Sequence, residues 1–428
     1  MGVFLCLYFV HLQPMSYIYN FIVILSSFII SVIALFQNKM KLFVNGRKES
    51  FKKLAALKNE DKVVWFHVAS LGEFEQGRPI IERLKKEQPT YKIVLTFFSP
   101  SGYEIQKNYK EADVICYLPM DSKSNVRKFL RIVNPSLAIF VKYEFWPNYL
   151  NGLQKRKIPT ILVSGIFREN QIFFKSFGGF MRNSLKAFDH FFVQDKKSQQ
   201  LLNTINIQNA TISGDTRFDR VLEILNQDNQ LDFITEFKNN HYTVVAGSTW
   251  KEDEQLLVNY INNSSSEEEK FIIAPHNINS DAIQKLKESI LKKTILYSDR
   301  KGKQLNDYNV FIIDTVGILT KIYSAANAAY VGGGLTKNGV HNVLEPATFG
   351  VPIVIGPEYK KYNEVVDLVA LKGCKVISNQ KEFSSIFTKL KSGKDYRTQL
   401  GEINQGFIKK NTGATDKIIR YVNQKLIN

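Results

Sequence analysis

The chain has 428 residues, and its 57 Lys and Arg against 40 Asp and Glu leave a formal charge of +17. That length exceeds one ordinary hydrophobic core and predicts two domains, while 44% hydrophobic residues fit a globular protein. The positive excess favours anionic partners (nucleic acid, an acidic membrane face or phosphorylated substrates), and three distant cysteines, Cys6, Cys116 and Cys374, argue against a disulfide framework or a structural zinc site.

The first element is apolar. Tyr17 to Phe36 is 20 residues without a charge, about 30 Å as a helix, which is long enough to span a bilayer. A buried or an interfacial helix passes the same test. No Lys or Arg precedes it, whereas Lys39, Lys41, Arg47, Lys48, Lys52 and Lys53 follow closely. The positive-inside rule then puts the bulk of the chain in the cytoplasm, and the absence of a basic leading segment argues against a cleaved signal. Residues 1–37 are therefore expected to be a membrane anchor, starting at Met1 or at Met15.

Short β-branched runs then alternate with amphipathic helical stretches. Strands are expected at Val63–Val68, Ile93–Phe98, Val114–Tyr117, Leu137–Val141, Thr160–Val163 and Phe191–Gln194. After a polar stretch near Asn226–Asn240 the pattern restarts. The second series is Tyr242–Ala246, Phe271–Ala274, Thr294–Leu296, Val310–Ile313, Ala328–Val331 and Ile353–Ile355. Such alternation predicts an α/β chain of two Rossmann-like parallel-sheet domains, 38–225 and 226–428, with a central cleft. The last helix is expected to fold back on the first domain. In parallel sheets ligands bind at the carboxyl ends of strands, so the loops after strands are the places to search.

After the first strand comes His67-Val68-Ala69-Ser70-Leu71-Gly72-Glu73. Ser70 and Glu73 have the spacing of a capping box. The spacing favours that cap; Pro79 would lack a hydrogen bond in a helix begun at Ser70, which weakens the cap a little and leaves open a loop or kinked turn that aims Glu73 at a ligand as a base. After the second strand, Ser99-Pro100-Ser101-Gly102 reads equally as an anion cradle and an ordinary cap. Glu144, at the end of a buried strand beside Phe145 and Trp146, must be paired, hydrogen-bonded or functional; a salt bridge to a neighbouring Lys or Arg accounts for it equally well. Arg168 lies among phenylalanines that are either core or a lipid-facing surface.

In the second half, Gly247-Ser248-Thr249 follows a strand and offers another anion site. Tyr330 to Gly356 is the most informative stretch. It holds a run of glycines including Gly333 and Gly334, then His341-Asn342 and Glu345-Pro346. Asn342 and Glu345 share a helix face and suit the two hydroxyls of a ribose, while the glycines suit close backbone approach to a phosphate. No GxxxxGK[ST], early GxGxxG or HExxH motif is present, which counts against P-loop, dinucleotide and zinc-protease readings.

In order and spacing, "HVASLGE", "TFFSPSG", "YEFWPN", "GDTRFDRV", "AGSTWKEDE", "DTVG" and "GGGLTKNGVHNVLEPA" together resemble the 3-deoxy-D-manno-octulosonic acid (Kdo) transferases of lipopolysaccharide synthesis. The resemblance covers nearly the whole chain from about Met15. It implies a membrane-anchored GT-B glycosyltransferase that moves Kdo from CMP-Kdo to the 6′-hydroxyl of a lipid A precursor on the cytoplasmic side of the inner membrane. It implies Glu73 as the catalytic base, with Ser70, Gly72, Ser99, Ser101, Gly102, Glu144 and Arg168 in the acceptor or donor pocket. Ser248, Thr249, His276, Asp314, Thr315, Gly317, Gly333, Gly334, Asn342 and Glu345 match positions that bind the nucleotide. No cofactor, metal or nucleic acid enters this reading, since CMP-Kdo is itself a substrate.

The chain departs from the family at two places. In "APHNIN", Pro275 and His276 are kept but an Arg often found between them is lost, so Lys251, Lys337 or Arg217 is expected to meet the phosphate. Ile318 stands where the family often has an acid. Two other readings stay open: a GT-B transferase using a UDP-sugar on another lipid, and a non-catalytic membrane scaffold in which Glu73 only caps a helix.

Overall fold

The β-branched runs form strands buried along most of their length, as sheets covered on both faces require. In the computed structural model, which describes residues 2–427 with side chains from Met15 onward, they make two sheets of seven strands with parallel pairing throughout. Met1 and the side chains of the first fourteen residues of the expected anchor lie outside this description.

The first sheet contains β1 (Val63–Val68), β2 (Lys92–Phe97), β3 (Val114–Tyr117), β4 (Leu137–Val141), β5 (Thr160–Gly165), β6 (His190–Val193) and β7 (Ala210–Ile212). Their order is β3-β2-β1-β4-β5-β6-β7. The second contains β8 (Thr243–Thr249), β9 (Lys270–Pro275), β10 (Thr294–Leu296), β11 (Val310–Ile312), β12 (Ala328–Val331), β13 (Ile353–Ile355) and β14 (Cys374–Val376), in the order β10-β11-β9-β8-β12-β13-β14. Each sheet starts in its middle, grows to one edge and then restarts on the other side. The reversal falls between β1 and β4 in the first sheet and between β8 and β12 in the second. Connecting helices leave to opposite faces there, which opens a crevice at the carboxyl ends of the strands.

β1 shows how alternation builds two cores from one strand. Trp65 packs with Phe129, Phe140 and Tyr149 on one face. Val64, Phe66 and Val68 join Phe74, Ile80 and Ile81 on the other. The following helix, Leu71–Glu87, runs through Pro79 without ending. The capped helix forms, and the loop or kinked turn that Pro79 left open does not. Buried Phe74, Ile80, Ile81 and Leu84 offset the one backbone bond that the proline ring removes.

The chain forms two compact units: residues up to Asp219 together with those from Thr412 onward, and Arg220–Asn411. The last helix, Ala414–Ile427, packs Ile418, Ile419 and Val422 into the core around β1. One carboxylate fastens its start: Asp219 accepts from Gly413 N–H at 2.5 Å and from Thr415 N–H and Oγ1–H at 2.7 Å each. Among the described residues one helical stretch, Met15–Ile33, is long and apolar enough to cross a membrane.

Replacing Asp219 by Ala strands those donors and should loosen the last helix. We expect a loss of about 3 kcal/mol in denaturant unfolding, from hydrogen bonds to a charged acceptor at about 1.5–3 kcal/mol each that water partly replaces. An unchanged midpoint would show that the returning helix is held by its apolar face alone.

Candidate functional site

On the first unit the expected residues gather at the carboxyl ends of β2, β1, β4 and β5, which are neighbours in the sheet. Glu73 lies in the first turn of the helix after β1 and is half-buried. The capping box closes: Glu73 Oε2 accepts from Ser70 N–H at 3.1 Å and from the Ser70 hydroxyl. Its other oxygen, Oε1, makes no hydrogen bond to the protein among the described residues. The cap and a chemical role are thus compatible, one oxygen each. Tyr143, Arg168 and Asp195 complete the local electrostatics, and burial, then Glu73 and Asp195 against Arg168, leave the Tyr143 phenol above its ordinary value. Gly72 is exposed beside this turn, and exposed Arg168 follows β5.

Ser99 caps the short helix Pro100–Gln106 by accepting from Ser101 N–H at 3.3 Å, and the two hydroxyls lie 3.0 Å apart. A Cβ on Gly102 would come within 2.8 Å of the Ser70 carbonyl carbon, so glycine lets this helix press on the Glu73 turn. The cap is therefore the observed role of the segment.

Glu144 is 8% exposed and among the described residues pairs with neither a Lys nor an Arg, which corrects that expectation. Its Oε2 lies 3.0 Å from His67 Nε2 and accepts from Trp146 Nε1–H at 2.8 Å. His67 is wholly buried in β1, and its Nδ1 lies 3.1 Å from the Thr96 carbonyl oxygen and 2.9 Å from Thr96 Oγ1. Trp146 Nε1–H also lies 3.0 Å from His67 Nε2, so the indole, the imidazole and the carboxyl form one buried cluster. The sequence reading missed His67 as Glu144's partner. A histidine in an otherwise apolar strand was the available signal, since a buried polar ring needs partners.

On the second unit the loops after β8 and β12 meet at the strand reversal. Ser248 holds a left-handed backbone (φ +54°), a conformation costing about 1 kcal/mol that non-glycine residues seldom adopt. Ser248, Gly317, Asn342 and Glu345 line one small cavity with Thr320 and Tyr323. Asn342 Nδ2 donates to Glu345 Oε1 at 2.9 Å, and Thr320 Oγ1 donates to Oε2 at 2.8 Å. Such a pair presents both an amide and a carboxylate to a diol.

The other expected residues do not line that cavity. Thr249 is buried and donates to Glu254 at 3.1 Å. Asp314 accepts from Ser298 N–H at 3.0 Å, and Thr315 follows it half-buried. Gly333 has φ +90° against the His341 ring, and Gly334 packs on the Gly356 backbone. These glycines bring protein backbones together, which was not the use the sequence suggested. Two exposed lysines, Lys251 and Lys337, belong to this unit, whereas Arg217 belongs to the first and binds Asp215 through Nε and Nη2 at 2.9 and 2.7 Å.

Two features of this unit went unread. Asp253 is fully buried and ties three elements, accepting from Trp250 N–H, Tyr330 O–H and Gly333 N–H at 2.8, 2.7 and 2.8 Å. Burial raises its carboxyl pKa against those donors. His276 stacks at 4.8 Å on Trp250 and at 4.3 Å on His341, and Trp250 Nε1–H donates to His341 Nε2 at 2.9 Å. Burial, and then the neighbouring His276, push His341 down to about 4, so it stays neutral and able to accept.

A family model described as 3-deoxy-D-manno-octulosonic-acid transferase (kdotransferase) matches residues 45–220. The chain is 27% identical over 345 residues to a 3-deoxy-D-manno-octulosonic acid transferase of Aquifex aeolicus, covering 79% of this chain and 89% of that one. It is 27% identical over 370 residues to the transferase of Chlamydia trachomatis serovar A (82% and 83% covered) and 23% over 369 residues to that of Haemophilus influenzae (83% and 85%). Among solved structures, UDP-GlcNAc 2-epimerase from Neisseria meningitidis superposes with a TM-score of 0.60 at 14% identity, covering 85% of this chain and all of that one. MurG of Acinetobacter baumannii gives 0.53 at 12%, covering 85% and 99%. At these identities the structural likeness establishes the fold alone, which is GT-B.

Two outcomes are expected. H67L leaves the Glu144 carboxyl with Trp146 in place of two partners and should cost about 3 kcal/mol in denaturant unfolding, part of it recovered in H67L/E144L; full additivity would contradict the pairing. His341 has a folded pKa of about 4 below its ordinary 6.5, so its contribution is full above 6.5 and is lost as pH falls towards 4. Allowing for partial exposure, that loss is about 1 kcal/mol, read as a drop in melting temperature that H341Q lacks.

Proposed function

We propose that the chain is a member of the 3-deoxy-D-manno-octulosonic acid (Kdo) transferase family and that it moves Kdo from CMP-Kdo to the 6′-hydroxyl of a lipid A precursor with inversion at the anomeric carbon. It is a glycosyltransferase of lipopolysaccharide synthesis. One observation carries the finer reading: Glu73 is fixed at the end of β1 by Ser70 through one oxygen, while the other makes no protein hydrogen bond.

In the proposed reaction the acceptor hydroxyl gives its proton to Glu73 Oε1 as its oxygen attacks the anomeric carbon of Kdo. The bond from that carbon to the CMP phosphate oxygen breaks on the opposite face, so the centre inverts. CMP departs with the bonding pair as added phosphate charge. Lys251 at the start of the helix Lys251–Asn263, that helix's N-terminal dipole, and Lys337 are the groups assigned to meet that charge. Asn342 and Glu345 are assigned to the ribose hydroxyls, supported by their mutual hydrogen bond and shared cavity. Glu144, held by His67 and Trp146, is assigned a positioning role at the end of β4. CMP-Kdo enters as a substrate, and the proposal includes no cofactor, metal or nucleic acid. The +17 charge and the apolar helix Met15–Ile33 support work on a phosphorylated lipid at the cytoplasmic face of the inner membrane.

Incubation of the membrane-bound protein with CMP-Kdo and a tetraacylated lipid A precursor is expected to yield, by mass spectrometry, a product heavier by one or more Kdo units. CMP is expected to raise the melting temperature more than UDP. Stabilisation by UDP alone with no Kdo-bearing product would overturn the donor and acceptor assigned here.

A further inference from the structure

The apolar helix Gly2–Ile33 and the helix that follows it are both fastened to the same end of one sheet. At mid-helix, Tyr19 O–H donates to Asp121 Oδ2 at 2.7 Å, Asn148 Nδ2 donates to Asn20 Oδ1 at 3.0 Å, and the Tyr19 ring lies 5.6 Å from that of Phe180. Asp121 is itself fixed, since it also accepts from the Asn148 and Tyr149 N–H groups. Beyond its last turn the helix Asn38–Leu54 buries Phe43 edge-on to Phe98 at 5.4 Å, and Arg47 donates to the Phe98 carbonyl at 2.7 Å. Gly46 of that helix lies directly against the Tyr117 ring.

Tyr117 and Asp121 are four residues apart, so their Cα atoms are at most about 14 Å from each other. A helix that crossed the bilayer between Tyr19 and Lys39 would hold those ends about 30 Å apart on opposite faces. Both sets of contacts cannot then persist. The chain instead runs out along Tyr19–Ile33, turns through 34–37, and returns along Asn38–Gly46. The turn carries exposed Leu35 and Phe36, but Gln37 closes it and Asn38 and Lys39 follow at once, which limits how deep it can sit in hydrocarbon.

The faces of the helix are sorted accordingly. Ser16, Tyr19, Asn20, Val23, Ser27 and Ile30 recur at helical spacing on the side turned to the protein, and they include most of its polar side chains. The opposite side is apolar and bare: Tyr17 is 67% exposed, Phe21 65% and Phe28 68%. Its rim is basic. The Lys123 ammonium lies 5.3 Å from the centre of the Tyr17 ring, and Lys39 and Lys41 are exposed past the turn.

We propose that Met15–Ile33 lies in the membrane plane and sinks its bare face into a single anionic leaflet, with both ends on the side of the catalytic units. The depth suited to such a helix is about 5–10 Å. Exposed Phe177, three residues before Phe180, extends the same apolar surface. The inference rests on the membrane attachment in the proposed function and is independent of its chemistry.

Single cysteines test it in the full chain carrying C6S, since Cys116 and Cys374 are buried. M15C, at an exposed site on the helix, and S124C, at an exposed site on the first unit, are labelled with a membrane-impermeant maleimide in intact spheroplasts and in inverted vesicles. Both are expected to react at least tenfold more in the same one of the two preparations. Labelling from opposite sides would overturn the in-plane helix even if Kdo transfer were intact. In a second measurement, F28W fluorescence in vesicles containing phosphatidylglycerol is expected to be quenched more by bromines near the headgroup than by bromines at the bilayer centre. The reverse order, or protein that stays unbound to these vesicles, would also overturn it.

Discussion

A parallel sheet whose strand order reverses leaves a crevice at the carboxyl ends of the strands that part, and this constraint governs both units. Helices leaving β1 and β4 go to opposite faces, as do those leaving β8 and β12. The loops at these points carry residues assigned to the proposed chemistry: Ser70–Glu73 and Glu144 on the first sheet, Ser248 on the second. The apolar residues that make the strands also fix where these polar groups emerge. Register sets this directly, since His67 pairs with Thr96 on one side and Phe140 on the other, one strand away from Glu144.

Each unit uses a buried acid to hold its loop. Asp253 draws the Trp250 turn, Tyr330 and Gly333 onto one carboxylate. On the first unit the corresponding work is divided between Glu144, clasped by His67 and Trp146, and Glu73, which gives one oxygen to Ser70. A capping box is usually read as structural alone. Here it also fixes the rotamer of a side chain with a second oxygen to spare, and pre-orientation of that kind is what a general base needs.

Much of the fold was legible because both faces of the sheets are buried, so strands appear as unbroken apolar runs between amphipathic stretches. β7 (Ala-Thr-Ile) and β14 (Cys-Lys-Val) escaped notice because each is three residues long with a polar residue in the middle, whereas the equally short edge strand β10 shows an Ile-Leu pair. Pro79 misled because its local cost is real, but tertiary burial of Ile80, Ile81 and Leu84 outweighs it. Among site residues, Ser70, Glu73, Asn342 and Glu345 were visible through their three-residue spacing, and the structure joins each pair by a hydrogen bond. The His67–Glu144 contact spans 77 residues and the Asp253–Gly333 contact 80, so neither could be read from local pattern. Asn342 and Glu345 share a cavity with Ser248 and Gly317 only because the sheet brings separate loops together.

In the proposed reaction Glu73 does two jobs with its two oxygens, and E73Q separates them. Glutamine can accept from Ser70 as a capping residue but cannot take a proton from an attacking hydroxyl. The account requires E73Q to melt within about 0.5 kcal/mol of the native chain, to bind CMP as before, and to lose Kdo transfer by about 10²–10⁴-fold. Transfer at near-native rate by a folded, CMP-binding E73Q would leave Glu73 as a cap and nothing more.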